Sequence, residues 1–95
     1  MIKSFADKDT EKLFEGRRSR AVPEQTRERA LAKLIAVNIA TNVEELRVPP
    51  GNRLERLRGD REGQWSIRIN QQYRICFRFD SFTGDACEVE IVDYH

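Results

Sequence analysis

The sequence predicts an α+β domain in which two N-terminal helices pack on one face of a mostly antiparallel sheet, in the order β-α-α-β-β-β-β. Three observations lead there. Gly63 to Phe79 alternates strictly between apolar and polar residues in two successive halves. Pro23 to Ala40 carries apolar residues at helical spacing. Strand-like segments then follow one another without intervening helices, which favours an antiparallel sheet over a parallel one. Ninety-five residues leave room for one modest core, so a single domain spanning 1–95 is expected.

Ile2-Lys3-Ser4-Phe5 is short and alternating and reads as a first strand. Asp7 or Asp9 caps a brief helix through Thr10–Phe14, which Gly16 ends. Arg17-Arg18-Ser19-Arg20 is a basic connector. Pro23 suits the first turn of a longer helix, with Glu24 favourably placed at its positive end. Ala30, Leu31, Leu34, Ile35 and Asn38 form the expected inward stripe, and the helix runs to about Ala40. Thr41-Asn42 punctuate, Val43–Leu46 add a turn, and Val48-Pro49-Pro50-Gly51-Asn52 is a loop. Leu54–Arg58 follows as a strand beside the central hairpin, with Leu54 inward, Glu55 outward and a bulge before Arg58.

Gly59–Gly63 is a polar turn into that hairpin. Trp65, Ile67 and Ile69 share one parity in the first half; Tyr73, Ile75, Phe77 and Phe79 share one parity in the second. A two-residue loop would set Asn70 against Tyr73 on the aromatic face. A three-residue loop pairs Ile69 with Tyr73, Ile67 with Ile75 and Trp65 with Phe77, and is therefore preferred. It also sets Arg68 opposite Arg74, an unfavourable like-charge pair unless the face is well solvated or holds an anion. With helices over the Trp65/Ile67/Phe77 face, both arginines are expected on the solvent-reachable side. After a turn at Phe82–Asp85, Ala86 to His95 forms the last strand and joins the other side of the sheet.

Charged residues make up 35% of the chain and the mean hydropathy is −0.68. No apolar run nears the ~20 residues that span a bilayer. Met1-Ile-Lys-Ser-Phe5 has no apolar h-region, so a cytoplasmic protein without membrane contact is expected. Cys76 and Cys87 are read as reduced, packed thiols. One histidine and no CxxC spacing give no metal site, and no cofactor is expected. A net charge of +1 conceals an asymmetry. Arg47 to Arg78 holds eight arginines against Glu55, Asp60 and Glu62, whereas five acids and no Lys or Arg follow from Phe79 onward. Thirteen of the seventeen basic residues are arginine, whose planar fork suits phosphate. Such a field reads either as a local polyanion site or as a solubilising surface with internal ion pairs.

Leu46–Asn70, Tyr73–Arg78, Glu90–His95 with its closing Asp93-Tyr94-His95, and the opening Met1–Phe5 together closely resemble HigB toxins of the RelE/ParE superfamily. The resemblance covers essentially the whole chain. It implies a ribonuclease of a type II toxin–antitoxin system that enters the ribosomal A site and cuts translated mRNA. A HigA-like helix-turn-helix antitoxin would neutralise it, and the chain would meet operator DNA only through that complex. The family's chemistry is metal-free, with the RNA 2′-hydroxyl attacking the adjacent phosphate, so a base, an acid and cations are required. By resemblance, Arg74 holds the scissile phosphate, His95 is the general acid flanked by Asp93 and Tyr94, and Arg58 stabilises charge where relatives carry lysine. The best-known HigB has histidine at the position of Glu55, whereas YoeB toxins place a glutamate there as base; the base here stays open.

Bland alternatives stand beside these roles. Glu55 lies among Arg53, Arg56 and Arg58 and is either base or ion-pair partner. Arg53 and Arg68 are read as RNA-positioning contacts. Tyr94 either stacks on a base or caps the sheet edge. The competing function is that of ParE members, which poison DNA gyrase by protein contact without nuclease chemistry; a degenerate toxin that only docks its antitoxin is a third. Asp93-Tyr94-His95 together with Glu55 favours the nuclease.

Overall fold

A computed structural model describes residues 1–94. Two α-helices, α1 (Lys8–Phe14) and α2 (Arg27–Ile39), precede four strands, β1 (Glu55–Arg56), β2 (Trp65–Arg68), β3 (Tyr73–Asp80) and β4 (Asp85–Asp93). The strands form one antiparallel sheet in the order β1-β2-β3-β4. The α+β class and the order α-α-β-β-β-β from α1 onward are therefore as the sequence predicts, whereas the strand expected before α1 is not formed as one.

Local chemistry sets the helix ends. Asp7 caps α1, its carboxylate accepting from the Thr10 N–H at 2.7 Å and the Thr10 hydroxyl at 3.0 Å. At the other end Gly16 takes φ +79°, its N–H bonds Leu13 O, and Arg17 N–H bonds Lys12 O. That paired pattern satisfies two terminal carbonyls and needs a residue at ease in the left-handed region. A single 3-10 turn (Glu24–Thr26) leads into α2. The inward residues of α2 are Ala30, Leu34 and Val37, spaced i, i+4, i+7. This corrects the expected stripe: Ile35 is 45% exposed and Leu31 only half-buried. Asn38 is half-buried because its Oδ1 accepts the Ile2 N–H.

The expected first strand is reduced to two isolated parallel bridges, Ile2 to Ala86 and Phe5 to Val89. A bulge in β4 causes the split. Arg78 pairs with Cys87 and Cys76 with Glu90, and Glu88 between them sits at φ +52° with its N–H on the Ser4 hydroxyl.

The hairpin register is the predicted one. Trp65 faces Phe77, Ile67 faces Ile75, Arg68 faces Arg74, and Ile69 N–H bonds Tyr73 O across the three-residue loop. Ile67, Ile75 and Phe77 are fully buried with Leu13, Leu34 and Val37 in the core. β1 is shorter than expected. It pairs Glu55 with Ser66 and Arg56 with Trp65, adds one bond from Leu57 N–H to Gln64 O, and stops. Leu54 is buried and Glu55 exposed, as expected, but Arg58 lies beyond the strand, before a 3-10 turn at Gly59–Arg61.

Candidate active site

The face of the sheet away from the helices is built by parity. Glu55 pairs with Ser66, Ser66 with Cys76 and Cys76 with Glu90, one row across four strands; Arg68, Arg74 and Val92 form the next. An open depression of about 560 Å³ lies above the β1 end of this face, lined by Glu55, Arg56, Leu57, Arg58, Asp60, Arg61 and Tyr94. That volume is within the range of about 300–1,000 Å³ typical of ligand clefts.

Arg74 touches two of these lining residues, Glu55 and Tyr94, and is itself 7% exposed. The solvent-reachable placement expected for it is therefore wrong, because the Pro50–Asn52 turn packs on β2 and the ring of Tyr94 covers β3 from the other side. A buried cation needs partners, and this one has them. Nε donates to the Ser66 hydroxyl at 2.9 Å, and Nη2 donates to Arg53 O at 2.8 Å and more weakly to Ser66 O at 3.5 Å. The Glu55 carboxylate is 3.5 Å from the same Nη2, and the Tyr94 ring centroid is 5.5 Å from the guanidinium carbon. Among the described residues Nη1 makes no hydrogen bond. A guanidinium has five donors in a fixed fork, so this edge remains for an incoming acceptor.

The like-charge pair opposite Arg74 is relieved by rotation. Arg68 turns toward the hairpin loop, where its Nε donates to Asn70 O. Around the depression, Arg53 and Arg58 form no ion pair among the described residues, and Arg56 stacks on Trp65 at 5.6 Å. Arg61 is committed: it binds Glu90 at 2.6 Å and Gln64 at 3.1 Å, and the Glu90 hydrogen bond raises its pKa further. Cys76 lies in the Ser66–Glu90 row, wholly buried. Burial pushes its thiol up, with Arg61 opposing. Among the described residues no three His, Cys, Asp or Glu side chains are grouped to hold a metal ion.

The chain matches the family described as the RelE-like toxin of type II toxin–antitoxin system HigB over residues 3–95. It is 41% identical over 99 aligned positions to the Endoribonuclease HigB of Proteus vulgaris, spanning all of both chains. Toxin HigB-1 of Vibrio cholerae is 39% identical over 80 residues, 83% of this chain and 84% of that one. This chain belongs to the HigB-like toxin family. The YoeB–YefM toxin–antitoxin complex of Staphylococcus aureus contains a chain with the same fold, at TM-score 0.56 and 13% identity, covering 100% of this chain and 98% of that one.

Within this family member, the structure brings together four of the six catalytic candidates. Glu55, Arg58 and Tyr94 line the depression, and Arg74 touches Glu55 and Tyr94. Asp93 falls on the other parity. It is paired with Tyr73 and accepts from Gln72 Nε2 at 3.1 Å. His95 lies outside the described residues. Of the two positioning candidates, Arg53 touches Arg74 through its backbone carbonyl, and Arg68 sits across the hairpin. Sequence reading missed Ser66, Asn52 and the Arg61–Glu90 pair. Only Ser66 left a trace, as a small hydroxyl between Arg68 and Gln64 on the polar parity.

Proposed function

We propose that this HigB-like toxin is an endoribonuclease that cuts translated mRNA in the ribosomal A site, as one domain spanning 1–95. The observation that carries the reading is the Arg74 guanidinium, held against Glu55 and Tyr94 of the open depression with one donor edge uncommitted. Identity with the Proteus vulgaris endoribonuclease across the full chain supports the same chemistry. The RNA 2′-hydroxyl attacks the adjacent phosphorus and gives its proton to Glu55. The bond from phosphorus to the 5′ oxygen breaks, and that oxygen takes a proton from His95, leaving a 2′,3′-cyclic phosphate and a 5′-hydroxyl. Arg74 and Arg58 offset the charge that gathers on the non-bridging oxygens. Tyr94 presents a face for a base. Arg53 and Arg68 steer the strand, and Asp93 holds the end of β4 through Gln72. The acid–base set requires no metal.

The antitoxin of this system is a HigA-like helix-turn-helix protein, and operator DNA is met only through that complex. The protein acts in the cytoplasm; no helix among the described residues is long and apolar enough to cross a membrane. The test is to map 5′ ends of mRNA after brief induction. In-frame cuts that vanish when ribosomes are cleared from a message are expected. Intact mRNA with collapsed DNA supercoiling would replace this reading with a ParE-like one.

A further inference from the structure

We propose that Asn52 and the left-handed Arg53 form a positioning element that presets the Arg74 guanidinium and ties its orientation to helix α2. The kinetic consequence rests on the reading of Arg74 as the phosphate-binding group; the geometry does not.

Asn52 ends the 3-10 turn Pro50–Asn52 and is 1% exposed. Its Nδ2 donates to Leu46 O at 3.1 Å and Val48 O at 3.3 Å, and its Oδ1 accepts from Lys33 Nζ of α2. These partners fix the amide's orientation, because an ammonium only donates and carbonyls only accept. The carboxamide thus locks the turn to the helix and to the segment before it. The next residue, Arg53, has φ +46° and ψ +54°, a conformation in which a residue other than Gly, Asn or Asp is disfavoured and must be held. Its N–H bonds Pro50 O at 3.1 Å. The left-handed step turns the Arg53 carbonyl onto Arg74 Nη2, and the chain then enters the core at Leu54. Ser66 grips Nε from the strand side. Two grips on different nitrogens fix a plane, whereas one would leave the group free to swing. A guanidinium set before substrate arrives loses little rotamer freedom on binding the transition state, so the element should act on kcat more than on KM.

The test uses the full chain and the Arg74 Nε–H resonance in nitrogen-15 NMR, assigned by its loss in Arg74→Lys. Slow exchange of this proton is expected in the native protein. Arg53→Val, whose β-branch resists the left-handed region, should speed it by about tenfold or more, whereas Arg53→Gly should preserve it. Asn52→Asp, which turns an acceptor toward the Leu46 and Val48 carbonyls, should speed it as well. Lys33→Met keeps the apolar stem and tests the same link if the other variants melt below the working temperature. On programmed ribosomes, Lys33→Met should lower kcat by about tenfold with KM nearly constant, and should have no further effect in an Arg74→Lys background. A purely structural role would lower the melting temperature equally but leave the Nε–H signal alone, and the rate loss would be the same in both backgrounds. An unchanged Arg74 signal in folded Arg53→Val or Lys33→Met protein overturns the proposal. If the signal responds as expected while Arg74→Lys cuts at the full rate, the positioning element stands and the phosphate-binding reading falls.

Discussion

The guanidinium carbon of Arg74 lies 5.5 Å from the centroid of the Tyr94 ring, so the residue that follows β4 covers a cation buried on β3. Ser66 and the Arg53 carbonyl hold its Nε and Nη2, so Nη1 is the nitrogen left without a hydrogen bond among the described residues. Removing the side chain therefore has two consequences. Arg74→Ala should slow cleavage by about 10²–10³-fold, the loss seen when one preorganised charge-stabilising donor is deleted. It should also destabilise the fold by about 1–3 kcal/mol, because buried Ser66 loses its partner. Arg74→Lys should restore part of the rate, since it keeps a point charge but cannot serve both Ser66 and Arg53. Thermal melting beside single-turnover cleavage separates the two effects. An Arg74→Ala protein that cuts at the native rate removes Arg74 from the mechanism.

Tyr94 is tested by separating its ring from its hydroxyl. Tyr94→Phe keeps the face over the guanidinium and should cut within a few-fold of native. Tyr94→Ala loses both the cation–π contact, worth about 0.5–2 kcal/mol, and a stacking surface worth about 1–3 kcal/mol per base. KM for programmed ribosomes should rise in Tyr94→Ala more than kcat falls. Equal behaviour of the two variants would assign the role to the phenol instead.

The hairpin was readable in the sequence because a half-buried strand pair has only two parities, and one of them set Asn70 against Tyr73. Helix α2 was less readable. From Leu34 to Ala40 every residue but Asn38 is apolar, so composition does not say whether Ile35 or Val37 faces inward. The β4 bulge left one trace: buried Ala86 and Val89 are three apart, and a regular strand would place its buried residues at even spacing. The burial of Arg74 left none. Its cover comes from residues about twenty positions away on either side, Arg53 and Tyr94, and such closure is a tertiary fact. Asn52 reads as an ordinary turn residue in Pro-Pro-Gly-Asn; only the fold brings Lys33 to it.

Cys76 gives a prediction in pH. Burial raises its thiol pKa in the folded state above that of the unfolded chain. Between those two values the unfolded state has released a proton that the folded state still holds, so stability falls as pH rises. The contribution is fully present below the unfolded thiol value, about 8.5, and is lost above it as pH climbs through the folded value. Burial raises Cys87 too, so both proteins compared should carry Cys87→Ala. Adding Cys76→Ala should lower the melting temperature at pH 7.5, by the cost of a small cavity, and the gap should narrow by pH 9.5. A gap independent of pH would show that the Cys76 thiol does not titrate differently on unfolding.

Glu55 is the residue whose two readings differ most sharply in outcome. Its carboxylate is half-exposed and 3.5 Å from Arg74 Nη2, which suits either an ion-pair partner or a proton acceptor at the edge of the depression. Only the Glu55 side of the pair is exposed. Arg74 keeps its bonds to Ser66 and Arg53 O, however, and the Gln amide oxygen can still face Nη2, so Glu55→Gln should change the melting temperature little. The amide still presents an oxygen to Arg74 but cannot take the 2′-hydroxyl proton, and cleavage should slow by about 10²–10⁴-fold. Glu55→His supplies a different base at the same place. It should recover much of the rate above neutrality, with the rising limb of its pH–rate profile moved into the imidazole range, about 6.5. Recovery without that movement would mean that position 55 only tunes Arg74 and that another group takes the proton. Full-rate cutting by Glu55→Gln would make the carboxylate an ion-pair partner and nothing more.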